Sequence, residues 1–118
     1  MPWIKLGSIL MFLGVALGAF GAHALKGRVD AYSLEVFKTG VLYQMIHALG
    51  LFVVAWLSTI VQDPRISWAG ILMVAGILLF SGSLYIMCFS GVRAFGAITP
   101  LGGLCFLAAW ILLFTSKI

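Results

Sequence analysis

The segment GVALGAFGAHALK, residues 14–26, closes the first long apolar run of this chain. Glycine stands at positions 14, 18 and 21 of the segment, and the apolar run stops at Lys26. Residues spaced i, i+4 and i+7 lie along one side of an α-helix, and in a membrane a line of small residues lets a second helix approach closely. We therefore predict a membrane helix here, with Gly14, Gly18 and Gly21 packed against a neighbouring helix.

The composition indicates that lipid is the solvent of this protein. The chain has 118 residues, of which 64% are hydrophobic and 8% are charged. Soluble domains carry about 25% charged residues, so this chain has too few charges to cover a surface that faces water. At about 20 residues per crossing, its length allows four or five membrane helices and leaves no room for a soluble domain beside them.

Four charge-poor segments are separated by short polar breaks. Two of the segments begin with Asp63-Pro64 and Thr99-Pro100, in which an N-cap residue precedes a proline suited to the first helical position. The sequence therefore predicts a single membrane domain over residues 1–118, all-α, folded as a membrane-embedded four-helix bundle with both termini on the same side. The predicted helices cover residues 6–24, 39–61, 67–88 and 99–114. Asp30 is a candidate N-cap for an interfacial turn of helix that leads directly into the second of them.

The end of the first segment also resembles a signal peptide. Ala22-His23-Ala24 has the small-x-small form of a cleavage site. Because a discarded segment has no use for a line of packing glycines, we expect the first helix to be retained in the mature protein.

The charges argue against a nucleic-acid partner and leave the orientation undecided. The net charge is +4, but the cations are scattered and form no basic cluster of the kind that binds nucleic acid. Three cations fall at the membrane side with both termini, called end A, and four at the opposite side, end B, too even a split for the positive-inside rule. The expected partners are membrane lipid and a second copy or another membrane protein. The cations are Lys5, Arg65 and Lys117 at end A, and Lys26, Arg28, Lys38 and Arg93 at end B.

Polar side chains within the predicted helices gather toward end B, all within about 15 Å of that surface at 1.5 Å per residue. A polar group in hydrocarbon must find a partner or face a water-filled cavity. Gln44 and His47 are three residues apart and are predicted to share a helix face. The candidate polar-network or ligand-binding residues are His23, Tyr43, Gln44, His47, Ser81, Ser83, Tyr85 and Thr99, and the further candidate packing glycines are Gly82, Gly102 and Gly103.

Two functional interpretations of this polar group stay open. In the first, the polar side chains form an interhelical network that only fixes the packing of a structural or interaction (assembly) protein. In the second, they line a pocket open to end B, in a binding or transport module for a lipid headgroup, a quinone-like ring or another small ligand. A water-filled cavity between His23, Gln44 and His47 would favour the second interpretation.

The pattern provides no catalytic residue, metal site or cofactor. A zinc site needs three or four ligands, and only two histidines are available; a histidine pair that ligates haem is the weaker alternative. The three carboxylates, Asp30, Glu35 and Asp63, lie in breaks or at helix ends, so none is placed to orient a buried histidine for hydrolysis. We therefore expect a protein that is not an enzyme.

Residues 18–26, GAFGAHALK, resemble the hallmark of the YgdD-like family of small membrane proteins, whose domain has no known function. The sequence has Ala24 where the family often has glycine, and Ile46 where it often has an aromatic residue. The resemblance covers most of the chain and implies an integral membrane protein with about four helices, which we expect in a bacterial inner (plasma) membrane; it supplies no reaction, ligand or catalytic residue. The stretches that also agree are Thr39-Gly40, Tyr43-Gln44, His47-Ala48-Leu49, Phe80-Ser81-Gly82-Ser83-Leu84-Tyr85 and Ile98-Thr99-Pro100-Leu101-Gly102-Gly103.

Overall fold

The computed structural model describes residues 2–118, and helices are the only regular secondary structure in that range. Four segments are helical, long and apolar enough to cross a membrane. The predicted fold class, an all-α four-helix bundle, is confirmed. The helices are α1 (Pro2–Leu25), α2 (Ala31–Ile60), α3 (Pro64–Ser90) and α4 (Thr99–Thr115), and a 3₁₀ helix, Arg93–Ala97, leads into α4.

Helix α2 joins the predicted span, residues 39–61, to the helical turn expected after Asp30. The two form one continuous α-helix that begins at Ala31. The side chain of Asp30 accepts a hydrogen bond from the backbone N–H of Ser33 at 2.7 Å, as an N-cap residue does. A capped start and a surface location allow the charged first turns to continue the helix beyond the hydrocarbon.

Helix α3 begins at Pro64, where the Asp63-Pro64 pair places the first helical position, three residues ahead of the apolar span at 67–88. Asp63 is the N-cap, and its Oδ1 accepts a hydrogen bond from the backbone N–H of Arg65 at 3.0 Å. Proline is tolerated at the first helical position because its missing N–H has no intrahelical partner there. Helix α4 begins at Thr99, followed by Pro100.

The four helices form a flattened bundle. Helix α1 lies against α2, α2 against α3, and α3 against α4, and α4 also touches α2 through Trp110 and His47. The Cα trace measures 48 × 26 × 17 Å, so the bundle is a slab more than one helix thick, because the Cα atoms of one helix lie on a cylinder about 4.6 Å across. Helices α2 and α3 form its middle, while α1 and α4 are its outer members.

The apolar core lies between α2, α3 and α4 in the half of the slab nearer end A. Leu51 and Val54 of α2 pack with Ile66 and Met73 of α3 and with Ala109 of α4, and all five are fully or almost fully buried. The A-side half of the protein is thus held by apolar packing, and the polar residues lie beyond it toward end B.

Two helices contain a π-helical turn, at Leu17–Gly21 in α1 and at Ile77–Ser81 in α3. In each turn the backbone bonds reach five residues, as in the Ala22 N–H that donates to the Leu17 carbonyl and the Gly82 N–H that donates to the Ile77 carbonyl. A π-turn accommodates one extra residue, so it rotates the faces of the helix beyond it. The sequence did not predict either turn.

End A holds the first turn of α1 and the last residues of the chain. The Trp3 ring lies over Gly70 of α3. The backbone N–H of Lys117 donates to Asp63 Oδ2 at 2.8 Å, and the Arg65 guanidinium donates to the Thr115 carbonyl. These bonds form a latch between the end of α4 and the start of α3.

Candidate functional site

The glycines of α1 face α2. An added Cβ would lie 2.8 Å from the Met45 side chain at Gly14 and 3.1 Å from Val41 at Gly18. At Gly21 it would lie 3.0 Å from the Phe37 ring. Real Cβ atoms rarely come this close to a neighbour, so the absence of side chains lets α1 and α2 approach along this line.

The other three candidate glycines differ from one another. A Cβ at Gly102 of α4 would collide with the backbone of Phe80 in α3. Gly103 reaches only the Phe80 ring, at an ordinary 3.9 Å. The packing role predicted for Gly82 is wrong, because within the described chain no atom lies within 4 Å of its added Cβ. Gly82 instead lines an apolar groove between α1 and α3.

Gln44 ties three helices together from the middle of the slab. Its Nε2 donates to the Leu10 carbonyl of α1 at 2.8 Å, and its Oε1 accepts a hydrogen bond from the Tyr85 hydroxyl of α3 at 2.6 Å. Gly14 follows Leu10 by one helical turn, so no side chain at that position covers the Leu10 carbonyl. The glycine line on α1 therefore gives the amide access to the backbone.

Ser81 makes a second bond between α2 and α3. It is fully buried, and its hydroxyl donates to the Gly40 carbonyl at 2.6 Å. Gly40 is itself a close approach, since an added Cβ would lie 2.8 Å from the Tyr85 ring. The two helices are fixed here by a side-chain-to-backbone bond that depends on their short separation.

His47 connects α2 with α4. Its Nδ1 lies 2.7 Å from the Tyr43 carbonyl, and its Nε2 lies 3.0 Å from the indole Nε1 of Trp110. A carbonyl only accepts and an indole N–H only donates, so the partners assign a neutral imidazole with its proton on Nδ1. The ring also stacks on Phe106, with centroids 3.5 Å apart and planes 10° from parallel.

Gln44 and His47 are both buried on the inner side of α2, as the i, i+3 spacing predicts, but their side chains bond to different helices. Gln44 points toward α1 and α3, whereas His47 points toward α4. Three residues on a helix leave about 60° between side chains, and that angle is enough to turn these two side chains toward different neighbours of α2. His23 is exposed near the end of α1, so residues 2–118 form no common cavity of His23, Gln44 and His47.

The remaining candidates lie near the start of α4. Ser83 Oγ donates to the Phe80 carbonyl at 2.9 Å and lies 2.5 Å from Thr99 Oγ1. With the Ser83 proton used in this way, the Thr99 hydroxyl donates to Ser83. Tyr43 is partly exposed and packs its ring on Phe80, with centroids 4.5 Å apart.

Sequence reasoning missed Trp110 and two backbone acceptors of these networks, the Leu10 and Gly40 carbonyls. A tryptophan in the body of a membrane helix needs an acceptor for its N–H, and that requirement could have paired Trp110 with His47. The Leu10 carbonyl has no side-chain signal. Only the glycine one turn later indicates an accessible backbone.

The described residues contain no group of three or more His, Cys, Asp or Glu side chains placed to hold a metal ion. The two cysteines, Cys88 and Cys105, are free thiols. The polar residues brought together are amides, hydroxyls, one imidazole and one indole, and this arrangement can hold helices by hydrogen bonds.

Comparison with known proteins assigns the family. A family model described as "Protein of unknown function (DUF423)" matches residues 17–103. The chain belongs to the DUF423 family. A relative, UPF0382 membrane protein YwdK of Bacillus subtilis (strain 168), is 50% identical over 117 residues, which cover 98% of this chain and 95% of the relative. UPF0382 membrane protein SH2409 of Staphylococcus haemolyticus (strain JCSC1435) is 42% identical over 114 residues, 97% of this chain and 93% of the relative. No solved structure matches the chain.

The DUF423 match begins at the π-turn of α1 and ends early in α4. It therefore includes Gln44, His47 and Tyr85 but not the partners Leu10 and Trp110. The relatives are named membrane proteins, and four helices of this DUF423 member are able to span a bilayer. The protein is thus an integral membrane protein of bacteria, in a family without an assigned biochemical role.

Proposed function

We propose that this protein is a structural or interaction protein of the membrane, which helps membrane components to assemble and is not an enzyme. The observation that carries this proposal is the use of its buried polar groups. Gln44, His47, Ser81 and Ser83 are buried, and each bonds to another part of the bundle. In the described part of the chain, no buried side-chain nitrogen or oxygen lacks a hydrogen-bond partner. These groups hold helices together.

The outer face of α1 offers a surface for interaction. Among the first 15 residues of the helix only Gly7 and Gly14 are buried, because α1 touches the rest of the protein mainly along its glycine side. The opposite side exposes Phe12, Val15 and Phe20. A helix attached along one narrow line leaves most of its circumference available to lipid or to another membrane protein.

In-membrane cross-linking tests this proposal. Val15→Cys places a thiol on the outer face of α1, and Leu107→Cys places a matched thiol on the lipid-exposed face of α4. We expect a bifunctional thiol reagent applied to whole membranes to give a discrete larger species with Val15→Cys only, in a Cys88→Ser/Cys105→Ser background. The interaction role would be contradicted if neither the Val15→Cys variant nor the Leu107→Cys variant gave a larger species.

We also infer that the YgdD-like group is the branch of this family to which the chain belongs. Residues 18–26, GAFGAHALK, support that placement because they carry the motif through the π-turn of α1 to its end. A phylogenetic tree built from full-length family members tests it. The inference fails if the chain groups away from the sequences that carry this motif.

A further inference from the structure

A slot opens at end B between α2, α3 and the 3₁₀ helix that precedes α4. Its volume is about 380 Å³. The walls include Val36, Leu84, Met87 and Pro100, and Arg93 and Tyr32 stand at its exposed edge. We call this cavity the end-B slot.

The slot runs from the membrane surface into the hydrocarbon. Arg93 belongs to the connection after α3, whereas Phe80, at the other extreme of the lining, lies ten residues before the end of α3 at Ser90. At 1.5 Å per residue this difference corresponds to about 15 Å of depth. A ligand that fills the slot must therefore be polar at one end and apolar along the rest of its length.

The polar end of the slot carries a guanidinium with free donors. Arg93 lies over the Tyr32 ring, with Cζ 4.6 Å from the ring centroid. Stacking on the face of an aromatic ring leaves the N–H groups on the edge of the guanidinium available. No hydrogen bond or ion pair of the Arg93 side chain is formed with another described residue. Hydrogen bonds with Ser33 have the larger effect in lowering the pKa of Asp30, and the positive charge of Arg93 contributes to the same lowering. The Asp30 carboxylate is engaged as the N-cap of α2.

The other groups at this end do not compete for the guanidinium. The Thr99 hydroxyl is directed to Ser83 Oγ. Four cations at end B face two carboxylates, Asp30 and Glu35, and Glu35 pairs loosely with Lys38 at 3.9 Å. The local excess of positive charge favours an anion, and a planar guanidinium binds a phosphate through two parallel hydrogen bonds.

We infer that the end-B slot binds one anionic phospholipid, with the phosphate at Arg93 and the upper part of an acyl chain between Val36, Leu84 and Met87. A free phosphate would use only the exposed edge of the slot, while a phospholipid uses its apolar depth as well. This site is independent of the proposed assembly role, which rests on α1 and on the internal polar networks.

Native mass spectrometry of the intact protein, extracted in a mild detergent, tests the inference with phosphatidylglycerol as the probe. We expect phosphatidylglycerol to be retained and phosphatidylcholine to be retained at least tenfold less. Arg93→Gln should weaken phosphatidylglycerol binding about tenfold, the scale of a lost charge-assisted hydrogen bond. Arg28→Gln removes an end-B cation outside the slot and should change binding less than twofold.

Two further arms separate the sources of the phosphate. Glycerol phosphate, which lacks acyl chains, should not displace the lipid at equal concentration. Val36→Trp fills the slot and should lower phosphatidylglycerol retention while leaving Arg93 in place; unchanged helical circular dichroism shows that the variant is folded. Equal losses in Arg93→Gln and Arg28→Gln, equal retention of both lipids, or displacement by glycerol phosphate would overturn the inference.

Discussion

His47 holds two hydrogen bonds that determine its charge and its orientation together. The Tyr43 carbonyl accepts a hydrogen bond from Nδ1–H, and the Trp110 N–H donates to Nε2. A second proton on the ring would place two donors face to face at Nε2, so the pair is compatible only with neutral imidazole. At this position a histidine, usually associated with chemistry, is an acceptor that anchors α4 to α2.

Substitution of either partner measures what this bond contributes. His47→Leu leaves the Trp110 N–H without an acceptor and should destabilise the protein by about 1–2 kcal/mol. Trp110→Phe should destabilise the protein less than His47→Leu does, because it leaves only an acceptor, His47 Nε2, unpaired. Denaturation in detergent of both variants and of the double variant gives the coupling between the two residues. We expect the double variant to lose less unfolding free energy than the sum of the two single losses. Strict additivity would contradict the hydrogen bond.

Acid should loosen the end-A latch through Asp63. Hydrogen bonds from the backbone N–H groups of Arg65 and Lys117 lower the pKa of this carboxyl below its ordinary value. A lowered pKa means that the contribution to stability is present above about pH 4, the ordinary value of an aspartate, and is lost as the pH falls through the folded-state pKa. The thermal unfolding temperature of wild type should therefore decrease as the pH falls below 4. The unfolding temperature of Asp63→Asn should depend less on pH over the same range.

Asp30 supplies the matching control at the opposite end. Its hydrogen bonds with Ser33 also lower the pKa of this carboxyl. Asp30→Asn should change the acid dependence in the same direction while leaving the Lys117 contact intact. An identical loss of C-terminal protection in both variants, measured by hydrogen exchange, would contradict the assignment of the latch to Asp63.

At the residue scale, sequence reasoning reached the polar residues but not their partners. Gln44 and His47 were selected because a polar side chain in hydrocarbon needs a reason to be there. Their partners depend on how each helix is rotated about its axis, and the sequence pattern of a single helix does not contain that rotation. The π-turns change it further, so the Leu10 carbonyl could only be assigned from the fold, and the chemistry of Trp110 indicated a need for an acceptor without its position.

At the element scale, some glycines permit two helix backbones to approach closely and others do not. The tightest approach is at Gly102, whose missing side chain admits the Phe80 backbone. Gly82, two residues from Phe80 on α3, has open space instead. The same residue type therefore serves a packing role at one position and none at the other.

A pair of alanine substitutions should separate these two glycines. Gly102→Ala forces α3 and α4 apart and should destabilise the protein by about 1–3 kcal/mol, the range for overpacking. Gly82→Ala meets no atom and should be neutral or stabilising by up to about 1 kcal/mol, since alanine restricts the unfolded chain and favours the helix. The midpoint of unfolding in detergent distinguishes the two. Equal effects would show that the approach at Gly102 does not carry the packing.

The number of helices could be predicted because charge-poor segments and proline-capped starts are local signals. The start of α2 also has local signals, because Asp30 is a capping residue and the spacing of Leu34, Phe37 and Val41 favours a turn of helix before the apolar span. The arrangement of the helices, which gives Gln44 and His47 different partners, is a property of the whole assembly. No local pattern in the sequence specifies which helices become neighbours.

At the scale of the whole molecule, four crossings return the chain to the side on which it began. The contacts of Trp3 with Gly70 and of Lys117 with Asp63 place both chain ends at end A. Reporter fusions at Met1 and at Ile118 should therefore report the same compartment. A fusion inserted after Gly27, in the connection between α1 and α2, is the control and should report the other compartment; agreement of all three reporters would contradict the topology.

The early start of α2 links the protein to the thickness of its bilayer. The helix has 30 residues and so extends about 45 Å, whereas a typical hydrocarbon core is about 30 Å thick. The excess lies at end B, where Glu35 and Lys38 stand in the first two turns. A thicker bilayer would draw these charges toward the acyl chains, and a thinner one would tilt the slab or recruit neighbours to cover its flanks. The charged first turns of α2 thus fix the position of the protein along the membrane normal.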